Sequence, residues 1–245
     1  MIYMSFTCGS KVDSPHCPSH PDADRYILFP NGNYRSEKNR WKYGLRLQLS
    51  GTKKTHTALV VLYGNANNAR NCLELFSRRH MLDSDVYVVE YPGYGINSHM
   101  QFGIRETEIH VTQALMHLGE RYPVLNFLAE SIGGAFALKA LERVRAGTVI
   151  LVNPFSSLCK LISEKTGVPE ECIPDRLDNM RTLMRVFRNI KRLVIVSSVE
   201  DSIVDPEHHQ RLYAKARTVV PSGMVRIPGD HNDWINSMDG VLAML

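Results

Sequence analysis

In the run NFLAESIGGAFALKA, residues 126–140, a single serine stands where an apolar stretch stops and a small-residue-rich, helix-like stretch begins. A hydroxyl at such a junction has two uses. Ser131 either caps the following helix by accepting a backbone N–H, or sits on a sharp strand-to-helix turn that lifts it clear as a nucleophile. The second use needs small residues two positions to either side. Ala129 and Gly133 meet that need, so the motif by itself admits both.

A neutral serine hydroxyl is a poor nucleophile without a general base, and the base needs a carboxylate to orient it. In a strand-helix-strand arrangement the chain order of the three is Ser, Asp, His. The sequence supplies that order. Asp201 follows the apolar run RLVIVSSV and precedes SIVDP, with Glu200 beside it and Asp205 before Pro206 as rivals. Asp205 is the better helix cap, directly ahead of PEHHQRLY. His231, in RIPGDHND, follows a sixth strand-like run and a Pro-Gly turn, ahead of the last helical stretch. Among the ten histidines, His80 and His110 fall on helix faces, His16 and His20 near the N-terminus, and His208 and His209 in the opening turns of a helix. Only His231 occupies the position a base requires. The oxyanion then needs two backbone N–H groups: that of Ile132, at the start of a helix, and that of Asn65, next to Gly64 in the loop after ALVVLYGN.

The elements that must position these residues are legible as rhythm. YGLRLQLS, 43–50, alternates apolar and polar residues as a half-buried strand does. TALVVLYGN, DVYVVEYPGYG, VLNFLAES, TVILVNP, RLVIVSSVED and GMVRIPGDH are apolar runs that stop at turn residues. Stretches with helical spacing separate most of them, including NARNCLELFSRRHML and RETEIHVTQALMHLGERY, the latter with Ile109, Thr112, Leu115, Met116 and Gly119 along one stripe. Strands buried on both faces and alternating with amphipathic helices predict an α/β fold with a mostly parallel sheet between helical layers. From 155 to 190 helix-like stretches follow one another with no strand between them, which predicts a short helical lid insertion. Its Phe155, Leu158, Leu161, Met180, Leu183, Met184 and Phe187 are candidates to line an acyl pocket. The expected layout is an irregular leader over 1–40 and one domain over 41–245.

Composition narrows the function classes. With 29 Lys and Arg against 25 Asp and Glu, and the basic residues scattered, nucleic acid is not an expected partner. Five cysteines make an odd set with no C-x-x-C pair, which predicts reduced thiols and a cytoplasmic location. Cys8, His16, Cys17 and His20 match no zinc spacing, so no metal is expected. The N-terminus lacks a basic segment followed by a long apolar one, and no stretch reaches the ~18 apolar residues of a membrane span.

Taken in order, LYGNANNA, VEYPGYGINS, AESIGG, EDSIVDP and PGDHND resemble the α/β-hydrolase superfamily of serine hydrolases over the chain from about residue 57 onward. Within it the chain is most similar to the small-lid group of Bem46-like and depalmitoylating ABHD-type enzymes. The resemblance implies Ser131 as nucleophile, Asp201 as acid, His231 as base, and the Asn65 and Ile132 amides as the oxyanion hole, with no cofactor. Three residues depart from the group's pattern: Tyr63 stands where a histidine is usual, Ala129 replaces a glycine, and Asp230 replaces a small residue. A carboxylate at 230 that faced the imidazole would favour imidazolium and weaken the base.

The expected reaction is hydrolysis of a carboxylic ester or thioester in a small-molecule or acylated substrate. The sequence leaves open a catalytically weak binding protein on the same fold, and an acyltransferase or peptidase on the same triad. Cys8 is a candidate lipid site for peripheral membrane contact, although one acyl chain without a polybasic run anchors weakly.

Overall fold

A computed structural model describes residues 40–47, 56–65, 67–77, 84–173 and 177–245. Residues 1–39 of the leader, with Cys8 and the Cys8/His16/Cys17/His20 set, His80 and the end of the first expected strand lie outside the described residues.

β-Branched and leucine-rich runs resolve into one eight-stranded sheet: β1 (Arg40–Trp41), β2 (Gly44–Leu47), β3 (Thr57–Leu62), β4 (Asp85–Val89), β5 (Val124–Glu130), β6 (Ala146–Val152), β7 (Ile190–Ser198) and β8 (Ser222–Ile227). The spatial order is β1-β2-β4-β3-β5-β6-β7-β8. β1 with β2 and β2 with β4 are antiparallel, and every pairing from β4 onward is parallel. β1 begins at Arg40, inside the segment expected to be irregular, and at two residues it is too short to carry an alternating pattern. In the central strands both faces are covered, and Leu59, Val60, Phe127, Val149, Ile150, Leu193 and Ile195 have little or no exposure.

Register decides where the strand ends fall. Leu62 pairs with Ala129, Ala129 with Leu151, Glu130 with Val152, Val152 with Val196, and Ser198 with Ile227. The carboxyl ends of β3, β5, β6, β7 and β8 are therefore nearly level along one edge of the sheet. In parallel α/β sheets this edge is where loops converge on ligands.

Among the described residues seven α-helices accompany the sheet: α1 (Ala69–Ser77), α2 (Ile104–Gly119), α3 (Ile132–Ala140), α4 (Leu158–Thr166), α5 (Asn179–Val186), α6 (Pro206–Ala216) and α7 (Met238–Leu242). On α2 the expected stripe is out of phase. Ile109 and Met116 are 49% and 47% exposed, and the buried face runs through Ile104, Thr107, Val111, Ala114, Leu115 and Leu118. Two interleaved apolar stripes occur on this helix, and packing against α3 and β5 selects the one the period alone does not.

The segment 155–190 holds α4 and α5 with a short 3-10 turn at Glu170–Cys172 between them. Ser157 caps α4 by accepting from Lys160 N, and Gly167, at φ 74°, ends it with its N–H on Ser163 O. Phe155, Leu158, Leu161 and Leu183 belong to the main core, Met180 packs against that core, and Met184 is exposed. Four of the seven residues considered for an acyl pocket thus serve as ordinary packing. An amphipathic stripe tells which side is apolar, not what it meets.

Cys72 and Cys159 are buried thiols, while Cys172 is disulfide-bonded, against the fully reduced set expected. Spacing in sequence carries no information on which cysteines meet after folding. Among the described residues no helix is long and apolar enough to cross a membrane, and no group of three or more His, Cys, Asp or Glu could hold a metal ion.

Candidate active site

Ser131 follows directly on β5 and precedes α3, with φ 52° and ψ −119°. A non-glycine residue in that region carries strain that the surroundings must enforce. Here its N–H is held by Val152 O at 2.8 Å, and its carbonyl accepts from Gly134 N at 3.0 Å. The hydroxyl makes no capping hydrogen bond to α3, so the cap reading of Ser131 fails and its oxygen is left for other use. Gly133 explains how the turn closes: a Cβ there would lie 2.4 Å from Leu62 O and 2.7 Å from Tyr63 O. Only a glycine lets α3 start this close to the end of β3. Ile132 is the first residue of α3, where the N–H groups and the helix dipole favour negative charge.

Asp201 and His231 meet although 30 residues separate them. His231 Nδ1 is 2.7 Å from Asp201 Oδ2, and both residues are buried. Asp201 Oδ1 takes the N–H groups of Ile203 and Val204 at 3.0 and 2.8 Å, which fixes the carboxylate. The rivals have other positions. Asp205 accepts from Glu207 N at 2.8 Å as the cap of α6, and Glu200 is exposed. Between Ser131 and His231 there is no hydrogen bond: the residues are brought to the same edge, and the serine-to-imidazole step stands open.

Asp230 does not act on the ring as a free carboxylate. It accepts from Ser202 N at 2.7 Å, Ser202 Oγ at 2.8 and 2.9 Å, and the backbone N of its neighbour His231 at 2.7 Å. Donation from the Ser202 and His231 amides holds its carboxyl below the ordinary carboxylate range. Its place is to staple the acid loop to the histidine loop.

Tyr63, the second departure, is also absorbed into the scaffold. Its ring is fully buried, its hydroxyl donates to Glu90 Oε1 at 2.5 Å and accepts from Tyr91 N at 3.1 Å, and its carbonyl accepts from Tyr91 Oη at 2.8 Å. Burial, then the Glu90 charge, pushes the phenol well above its ordinary pKa, so it remains a donor. Glu90 in turn accepts from Ala69 N at the start of α1, where a carboxylate is favoured. The next residues, Gly64 and Asn65, turn above the sheet, and Asn65 Oδ1 accepts from Tyr94 Oη at 3.1 Å.

The supporting parts of four residues escaped the sequence reading. Glu130, next to the serine, accepts from Gly64 N at 3.0 Å and from Trp234 Nε1 at 2.8 Å. One buried carboxylate thereby ties the Gly64 loop, the serine turn and the chain just after His231. Asn153, at φ 48° after β6, donates to His231 O at 2.7 Å and to Ser198 Oγ at 2.9 Å and accepts from Ser198 N at 2.8 Å. Its position right after a strand was the available signal. His208 and His209 lie in the opening turns of α6, as expected, and both are fully buried there. Local sequence could not reveal this, because their partners come from α4, β7 and the acid loop.

No family model matches the chain. Uncharacterized proteins from two strains of Mycobacterium tuberculosis are each 26% identical to it over 200 residues, covering 76% of this chain and 69% of their own. Among solved structures, a lipase-esterase related protein from Clostridium acetobutylicum aligns with TM-score 0.62 at 13% identity, over 82% of this chain and 98% of that one. The Pyrococcus furiosus esterase Pf2001 aligns with TM-score 0.60 at 14% identity, over 78% and 80%. The protein has the α/β-hydrolase fold. In α/β-hydrolase terms, β1 and β2 form the antiparallel edge and β3 to β8 the parallel part, and Ser131 lies in the turn between β5 and α3.

Proposed function

We propose that the protein is a serine hydrolase that cleaves a carboxylic ester or thioester by acyl transfer. Ser131 is the nucleophile, His231 the general base and acid, and Asp201 the carboxylate that holds the imidazole. The supporting observation is a strained, uncapped serine at the same strand ends as a buried imidazole–carboxylate contact of 2.7 Å.

Asp201 accepts from His231 Nδ1, which leaves Nε2 to take the serine proton. Ser131 Oγ bonds to the carbonyl carbon, and the carbonyl oxygen becomes an oxyanion held by the amides of Ile132 and Asn65. A donor of this kind is worth about 3–4 kcal/mol of barrier. Collapse expels the alkoxide or thiolate, protonated from His231, and leaves an acyl-serine. Water, losing its proton to His231, then releases the acid and restores Ser131. The reaction requires neither cofactor nor metal. The ordered motifs favour the Bem46-like and ABHD-type small-lid group, with 155–190 as its lid and an acylated protein or lipid within the substrate class.

The open step between Ser131 and His231 favours a second reading, a fold kept for binding without turnover, although catalytic hydrogen bonds are often long before substrate arrives. A fluorophosphonate probe separates the two, since it labels only an activated serine. Labelling of wild type with a matching series of acyl esters, thioesters and peptides sorts the hydrolase, acyltransferase and peptidase chemistries. A folded wild type that takes no label contradicts the hydrolase reading.

A further inference from the structure

Behind Asp201 lies a second imidazole that acyl transfer does not use. His209, on α6 and fully buried, has Nδ1 2.8 Å from Ser197 Oγ on β7 and Nε2 3.6 Å from Asp201 Oδ2. That carboxylate oxygen is the one that binds His231. Nε2 is buried with no hydrogen-bond partner at ordinary distance.

The two neutral tautomers are not equivalent here. With the proton on Nδ1, Ser197 accepts, and Nε2 turns a lone pair toward a buried carboxylate oxygen, which is repulsive. With the proton on Nε2, Ser197 donates to Nδ1 and the N–H dipole faces the carboxylate, which is attractive and strengthened by low local polarity. Electrostatics selects the second form. The charged and titratable groups around the ring are Asp201 from the acid loop, His231 from the loop before α7, and His208 and Asp205 on and ahead of α6. Burial outweighs them and lowers the His209 pKa to about 4, so the ring is neutral near pH 7.

Asp201 then has three hydrogen bonds and one further N–H dipole turned toward it. A carboxylate offers about four lone-pair sites. Two amides, from Ile203 and Val204, occupy Oδ1, His231 Nδ1 bonds Oδ2 at 2.7 Å, and His209 Nε2 faces the same Oδ2 from 3.6 Å, beyond hydrogen-bond distance, so that its N–H acts as a dipole. We propose that His209 is a positioning residue for catalysis: as the Nε2–H tautomer that the Asp201 carboxylate selects and Ser197 accommodates, it turns its N–H dipole on Asp201 and tempers the field that the carboxylate exerts on His231. This rests on the reading of Ser131, His231 and Asp201 as the catalytic set. Without that dipole the carboxylate acts more strongly on the imidazolium.

The test has two arms. Long-range proton–nitrogen NMR on wild type between pH 7 and 5.5, with His209 assigned by its loss in His209→Gln, reads the tautomer directly and needs no turnover. A neutral Nε2–H ring is expected; a Nδ1–H ring or a protonated one overturns the proposal. In the second arm, the acid limb of kcat/KM in His209→Leu moves to higher pH by about half a unit, because a carboxylate less balanced by donors favours the charged imidazole. In His209→Gln, whose amide offers a donor where Nε2 stood, the limb returns toward wild type. A His209→Leu protein that loses rate or melting temperature with its acid limb unmoved overturns the proposal and leaves His209 a packing residue. Failure of folded wild type to take a fluorophosphonate overturns the hydrolase reading itself and the catalytic role of His209 with it, whereas an unmoved limb in a labelled, active variant overturns this proposal alone.

Discussion

Ser156, His208 and Glu164 form an unbroken hydroxyl–imidazole–carboxylate relay, with His208 Nδ1 2.7 Å from Ser156 Oγ and His208 Nε2 2.7 Å from Glu164 Oε2. Ser131, His231 and Asp201 are joined only at the second step, 2.7 Å from ring to acid. Counted in hydrogen bonds, the first group looks more like a catalytic triad than the second. The backbone reverses that ranking. Ser131 is strained, at φ 52°, and the amide after it opens α3. Ser156 is 2% exposed, its own N–H also points at His208 Nδ1 at 3.2 Å, and the next residue is extended, so that α4 begins two positions on. The Ser156 group ties α4 to α6, with Arg211 on α6 adding a contact to Glu164 at 3.2 Å. A nucleophile is made by the turn that presents it and by donors for the oxyanion, and hydrogen-bonded composition alone makes a clasp.

The sharpest way to break this contrast is to delete each hydroxyl. Ser131→Ala is expected to lower kcat on any ester the protein turns over by about 10⁴-fold, as removal of a nucleophile does, while Ser156→Ala keeps turnover close to wild type; steady-state kinetics on both variants reads the difference. Acid should act on the buried imidazoles of α6 next. Burial lowers the pKa of both His208 and His209, the latter to about 4, whereas the unfolded chain binds these protons at the ordinary value of 6.5. Stability is then full above pH 6.5 and falls as pH drops toward 4, by roughly 3 kcal/mol from His209. Urea unfolding at pH 7 and pH 5 checks the sign, and His209→Gln should flatten the dependence. Glu130→Gln sharpens what supports the reactive group. It places an amide where one carboxylate takes two donors, Gly64 N and Trp234 Nε1, and is expected to lower kcat roughly tenfold to a hundredfold with KM less affected, on the scale of one buried donor left unmatched. Smallest on activity is His208→Leu. It strips partners from Ser156 and Glu164 and should cost about 1–2 kcal/mol of stability by denaturant unfolding, with fluorophosphonate labelling unchanged.

Much of this site could be read from the chain because its parts follow strands. Continuous apolar runs ending in turn residues mark parallel strands, and a parallel sheet delivers whatever follows each run to one edge. The places of Ser131, Asp201 and His231 beyond strand ends were legible in that way, as was Asp205 as the residue that caps α6. What the chain does not carry is partnership across long separations. Glu130 meets Trp234 104 residues later, Tyr63 meets Glu90 27 residues later, and Ser156 meets His208 52 residues later. Tyr63 and Asp230 therefore read as possible faults of the site in the sequence and turn out to be bound into its frame. On α2 the stripe read from the sequence, through Ile109 and Met116, is not the face the sheet buries, and β1 was too short to have a rhythm at all.

The central claim is that Ser131, and not the better hydrogen-bonded Ser156, is the activated serine. Intact-protein mass spectrometry after fluorophosphonate treatment, followed by peptide mapping, tests it most directly. The account predicts one adduct per chain, located on Ser131, present in Ser156→Ala and absent in Ser131→Ala. An adduct that persists in folded Ser131→Ala, or none on folded wild type, contradicts it.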